Sequence, residues 1–285
     1  SELDKKGFIS SDLNKTNCNV YRISLMGDGM GQETEIIVPS NPCQDIYSVS
    51  KAFVVTAIGM MSDRGLLRTD DRITDILSDF VPAGIDSRWH DITVDDALKH
   101  RMGHPGGFLD IDVHDANEFG TDYLDYLFRA PFVRNPSDES VYTDGAFYLL
   151  ARVVERLADE SVDNLLWREL FAPLRFREAA WSHCPQGHVM GATGLYARAD
   201  DVVKLGELYR CGGMFDGKRI ISEDWVNTVL QRGYELQPIG FGDAYGKGGM
   251  RGQMLAVFPS KKLSVCWTSY NMNLYSEILR MIEES

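Results

Sequence analysis

Positive charge is what this chain of 285 residues has too little of: 29 Lys and Arg stand against 42 Asp and Glu, a formal net charge of -13. No basic run of any length occurs, so nucleic acid and anionic membrane surfaces, which attract such runs, are not expected partners. A small-molecule substrate is. Cysteine is also sparse: Cys18, Cys43, Cys184, Cys211 and Cys266 are an odd number with no close pair of the spacing that holds zinc. Mostly buried thiols and a reducing, cytoplasmic compartment are expected, with a single disulfide left open. Because the chain opens on Ser1, a periplasmic or secreted location stays open if a leader was removed. No apolar run is long enough to span a membrane.

Cofactor signals are equally thin, and none is expected. Gly27-Asp28-Gly29-Met30-Gly31 has the glycine content of a dinucleotide loop but leads into a second strand pattern rather than a helix. His100 and His104 stand at helical ligand spacing, yet Gly103 and Pro105 break the helix there and no glutamate lies between them, so no metal is expected.

What the chain does have is apolar content, 44% of residues, enough for a large core in one domain or one domain with an insertion. Period-2 patterns at 20–26 and 33–38 predict a hairpin, and 255–258 with 263–267 predict another. Between them the signals are helical: 50–64 ending at Gly65, 93–99, 145–159 and 162–171, with few strand signals before about residue 190. Later helices are expected from a cap at Asp200 and Asp201 through Tyr209, from Ser222 to Leu230, and from Leu274 to Ile282. The pattern predicts an α+β fold, an antiparallel sheet flanked by helices with a mainly helical insertion. Residues 1–65 and 191–285 would form the sheet domain and 66–190 the helical one, with the active site in the cleft between them.

Ser48-Val49-Ser50-Lys51 is the sharpest chemical signal. Positions three apart on a helix share a face, so the Lys51 amine can take the Ser48 proton. A lysine serves as base only when desolvated, and the apolar stretch from Ala52 to Met61 supplies that setting. A serine nucleophile also needs a second proton carrier and donors for the tetrahedral oxyanion. Tyr142-Thr143-Asp144, just ahead of a helix, offers a phenol and a carboxylate, and Gly246-Lys247-Gly248-Gly249 offers a cation and a bare backbone edge.

The order Ser-x-x-Lys, Tyr-x-Asp, Lys-Gly-Gly resembles the three-motif signature of the serine β-lactamase and penicillin-binding-protein superfamily. The tyrosine form is similar to class C β-lactamases, D-amino-acid carboxypeptidases and the related esterases. Leu98 to Gly103, Gly194 to Asp201 and Phe258-Pro259 resemble further family stretches. The resemblance implies that Ser48 attacks an acyl carbon while Lys51 and Tyr142 carry protons, that the amides of Ser48 and Met250 form the oxyanion hole, and that Lys247 polarises the site and favours the Tyr142 phenolate. Asp144, Gly248, Gly249 and Arg251 would line the substrate, Arg251 meeting a carboxylate. The family usually has asparagine where Asp144 stands, and often a hydroxyl where Gly248 stands. Both departures weaken the case for β-lactam or peptide substrates and favour an ester. The N-terminal helix and some strand length before the third motif look short or absent, so the chain reads as a compact member. It is expected to be a serine acyl hydrolase; the alternative is a degenerate module that binds or senses ligand without turnover.

Overall fold

The computed structural model describes residues 19–270 and 275–285, and every structural statement below concerns these residues. Their strands are β1 (Val20–Gly27), β2 (Gly31–Ile36), β3 (Cys43–Asp45), β4 (Ala179–Trp181), β5 (Leu195–Arg198), β6 (Met214–Phe215), β7 (Lys218–Arg219), β8 (Gln237–Pro238), β9 (Tyr245–Gly249), β10 (Gln253–Phe258) and β11 (Leu263–Ser269). The chain divides into two compact units. Among the described residues, one comprises 19–49, 169–180, 195–270 and 275–285; the other comprises 50–168 and 181–194. The helix Ser50–Asp63, grouped with the sheet on sequence, falls in the second unit, and the segment 169–180 in the first.

The first unit is built on a six-stranded sheet in the order β2-β1-β11-β10-β9-β8. Both expected hairpins are present and antiparallel, β1 with β2 and β10 with β11. Register places Trp267 opposite Ile23 on one side and Met254 on the other, and Val265 between Leu25 and Ala256. Alternation therefore collects Ile23, Leu25, Met254, Ala256, Phe258, Val265 and Trp267 on one face, where Ile278, Leu279 and Ile282 of the helix Tyr275–Glu284 complete the core. The opposite face of β10 and β11 meets the helix Ala199–Arg210. A Cβ on Gly206 would lie 3.1 Å from Leu255 and 3.2 Å from Ser264, so the small residue sets the approach of helix to sheet. Covered on both faces, β10 and β11 are buried throughout, and β10 is apolar at every position after Gln253.

One sequence expectation needs correction here. Asp200 and Asp201 do not cap the helix Ala199–Arg210; they lie in its first turn, where acidic side chains suit the helix dipole. Asp200 pairs with Arg22 at 2.8 Å, and Asp201 accepts from the Arg177 amide and from Lys204. The Lys247 motif lies in a strand of its own, β9, which pairs antiparallel with β10. Of the cysteines, Cys184 and Cys266 are buried thiols, Cys43 is half-buried and Cys211 exposed, none in a disulfide. Cys18 and the expected start of the last helix at Leu274 lie outside the described residues.

The second unit is helical. Ser50–Asp63 is buried from Ser50 to Met61, which is why its sequence is apolar nearly all round, and it packs against the helix Asp144–Ala158, buried from Asp144 to Val154. Nearby, His104 is 1% exposed. It stacks on Phe108 at 4.4 Å, beside Trp89 and Phe132, and neither ring nitrogen has a partner. Burial holds its imidazole down, from 6.5 to about 4. A depressed histidine contributes stability above its unfolded value that is lost as pH falls toward the folded one. His104→Phe is therefore expected to remove about 3 kcal/mol of stability loss between pH 6.5 and pH 4, read by urea melts across that window. Parallel losses in the two proteins would show that His104 titrates without penalty.

Candidate active site

Ser48 lies in the 3-10 turn Tyr47–Val49, which runs directly into the helix Ser50–Asp63. The turn is held at its start by the Asp45 carboxylate, which accepts from the Tyr47 amide at 2.8 Å, and by the Ile46 carbonyl, which accepts from the Val49 amide. Lys51 follows in the first helical turn and is 0% exposed. Its ammonium donates to Asp144 Oδ1 at 2.7 Å and to the Ala192 carbonyl at 2.9 Å, and lies 4.6 Å from the centroid of the Tyr142 ring. A buried cation so placed has the hydrogen bonds that a desolvated ammonium requires.

The second motif is fixed by residues the sequence reading treated as background. Thr143 caps the helix Asp144–Ala158, its hydroxyl accepting from the Gly145 amide while donating to the Phe108 carbonyl at 3.0 Å. His100 Nδ1 accepts from the Thr143 amide at 3.2 Å, and its ring stacks on Tyr142 at 4.6 Å. The imidazole thus orients both Tyr142 and the start of the helix. Its place two residues before the Met102-Gly103 step, within the Leu98 to Gly103 stretch, was the available signal.

Asp144 is pushed up to about 6, chiefly by burial, against the opposing pull of Lys51 and with a further push from Asp110 and Asp112. Carboxylate oxygens of Asp110, Asp112 and Asp144 come within 4.8 Å of one another, the one such acidic group among the described residues. All three are already engaged: Asp144 holds the Lys51 ammonium, Asp112 accepts from the Thr193 hydroxyl at 2.6 Å, and Asp110 Oδ1 accepts from the Asp112 amide at 2.9 Å. Neither acidic neighbour was singled out from sequence, because the 31 residues between Asp112 and Asp144 carry no period that would bring them together.

In the first unit, β9 brings the third motif against the Ser48 turn. A Cβ on Gly249 would stand 2.5 Å from the Ile46 carbonyl oxygen and 3.3 Å from the Ser48 amide nitrogen. Only a residue without a side chain lets the strand end reach that amide. Gly249→Ala is accordingly expected to displace the Ser48 turn, costing about 1–3 kcal/mol of stability. An alanine variant of unchanged melting point would show that the contact is loose.

Met250 follows on a turn whose Arg251 and Gly252 have φ of 63° and 84°. Four hydrogen bonds hold it: Ser269 Oγ to the Arg251 carbonyl, Trp267 Nε1 to the Gly252 carbonyl, and Gln253 both ways with the Ser269 backbone. The Arg251 guanidinium lies over the Tyr270 ring at 4.8 Å and near Tyr47 at 5.9 Å. Gly248 faces Met254. Lys247 is ion-paired at 2.5 Å with Glu235, a 3% exposed side chain that the sequence reading missed. That pairing offsets the field Lys247 would project, and Glu235, an isolated acid between Tyr234 and Leu236, gave no motif by which to find it.

The sequence profile of a family described as Beta-lactamase matches residues 33–273. Among curated proteins, penicillin-binding protein 4 of Amycolatopsis lactamdurans is 25% identical over 248 residues, covering 75% of this chain and 61% of that protein. The chain thus spans about three fifths of that relative's length. Among solved structures, a penicillin-binding protein homologue from Caulobacter crescentus superposes with a TM-score of 0.74 at 16% identity, covering 96% of this chain and 95% of the other. D-amino acid amidase from Ochrobactrum anthropi SV3, complexed with L-phenylalanine amide, gives 0.75 at 13% identity, covering 100% and 98%. The two structures share the fold with this chain.

Proposed function

Because the chain belongs to the beta-lactamase family, a family of hydrolases, we propose that it is a serine acyl hydrolase working through a covalent intermediate on Ser48. Lys51 takes the Ser48 proton as Oγ attacks the acyl carbon, and the negative oxygen is received by the amides of Ser48 and Met250. The acyl–heteroatom bond then breaks, and the leaving group departs with a proton delivered through Lys51 or Tyr142. Water, deprotonated by the same groups, attacks the acyl-serine; the acid leaves and Ser48 regains its hydrogen. The single observation that supports this reading most is Lys51 itself, a lysine with no exposed surface one turn from a serine at the head of a helix.

For the acyl group, an uncharged ester or amide is the better substrate. Gly248 offers no hydroxyl to a substrate carboxylate, and Asp110, Asp112 and Asp144 repel one. The second reading, a module that binds ligand without turnover, is favoured by the Lys51–Asp144 pair, which holds the amine charged and so less able to act as a base. Intact-protein mass after brief exposure to a penicillin and, separately, to nitrophenyl acetate separates the two. A transient adduct on the Ser48 peptide, missing in Ser48→Ala, is expected; a lasting adduct supports the trapping module, and no adduct with either reagent removes Ser48 from the mechanism.

A further inference from the structure

The helical unit carries a second pocket, of about 510 Å³, along the C-terminal half of the helix Asp144–Ala158. Its anchor is Arg152, whose side chain is 6% exposed. One nitrogen donates to the Tyr148 hydroxyl at 3.1 Å; Glu155 is 4.0 Å from Nε, beyond hydrogen-bond reach. A guanidinium carries five donors, and no nitrogen of Arg152 is sealed away without a partner. The donors not used by Tyr148 therefore open into the pocket that the residue lines. Phe80 covers one guanidinium face at 5.3 Å while 45% of it remains exposed, an apolar wall beside the cation.

At the far end of the same helix stands Asp159, its C-cap in the left-handed conformation. The other lining acids have partners already: Asp79 is paired with Arg156 at 3.0 Å, Glu160 with Arg168 at 2.7 Å, and Glu155 meets the His188 ring at 2.8 Å. Asp159 joins its charge to the negative end of the helix dipole, a setting that draws an ammonium. Arg152 and Asp159 are seven residues apart, two helical turns on one face, so their backbones are separated by about 10 Å. The Arg152 guanidinium reaches back toward Tyr148, so the two charges stand further apart than their backbones, a gap of the order spanned by an extended peptide of about three to four residues at roughly 3.3–3.6 Å per residue.

From this geometry we infer that the pocket binds a short zwitterionic peptide, carboxylate on Arg152, ammonium on Asp159 and apolar side chains against Phe80. The pocket's volume falls in the range typical of small-molecule sites. This site is independent of the Ser48 chemistry and stands whether or not Ser48 is a nucleophile.

The test uses the full chain carrying Ser48→Ala, so that no peptide is turned over, with trialanine, alanine, N-acetyl-trialanine and trialanine amide as probes in calorimetry. The His188 ring signals, read by NMR, report whether binding is in this pocket. Trialanine is expected to bind in the millimolar range or tighter, about tenfold or more better than alanine or either end-blocked form, since each block removes a charged hydrogen bond. Saturation should move the His188 signals. Asp159→Asn, at an exposed position, should abolish the discrimination against N-acetylation, and Arg152→Met, if its circular dichroism is unchanged, that against the amide. Equal binding of the blocked peptides, heats without a His188 response, an unaltered Asp159→Asn variant, or no saturable binding would each overturn the assignment.

Discussion

Lys51→Met is expected to lower the rate of Ser48 acylation by about 10²–10⁴-fold, the range a positioned general base supplies, while leaving the fold intact. Lys51 has no exposed surface, and methionine fills the same channel without its charge. Asp144 loses its cation, yet the fold has a cheap response. Burial already pushes that carboxyl up to about 6, and without Lys51 it rises further and takes a proton at neutral pH. The stopped-flow burst with an activated ester, alongside a denaturant melt, measures both halves. A normal burst would end the role of Lys51 as base, and a collapsed melt would show that the ion pair, not the packing, holds the helix Ser50–Asp63 in place.

Asp144→Asn is expected to act in the opposite direction, raising acylation at neutral pH by about tenfold or more. The carboxylate 2.7 Å from the Lys51 ammonium favours the charged amine; an amide does not, and loss of an adjacent opposite charge moves a pKa by about 1–3 units. Lys51 would then be neutral in a larger fraction of molecules, and the acid limb of the pH–rate profile should shift to lower pH by that amount. Turnover of several β-lactams should also broaden, since asparagine donates the hydrogen bond to a substrate amide that an ionised carboxylate cannot. Stability should move with pH in a way that checks the same cause. Burial holds the parent's Asp144 up at about 6, so in acid it is neutral like the asparagine and the two proteins should be alike, parting as pH rises through 6 and the ion pair with Lys51 forms in the parent alone. An unmoved acid limb would show that Asp144 does not control the base.

The chemistry along each motif was legible because it is local. Ser48 and Lys51 stand three positions apart at the head of a helix whose apolar sequence announces its burial, Thr143 sits where a cap belongs, and the strand patterns of both hairpins lie where β1, β2, β10 and β11 pair. Sequence alone thus determined the kind of fold, the family and the residues worth testing. Tertiary structure decided the electrostatics. Lys51 meets Ala192 across 141 residues, Lys247 is held by Glu235 beyond a loop, and Asp110 and Asp112 come beside Asp144 through chain without period. Helix and strand periods fix which side chains share a face of one element. They are silent on which distant loop delivers a carboxylate or a carbonyl to a buried amine, and at low dielectric those deliveries set the charge of the amine.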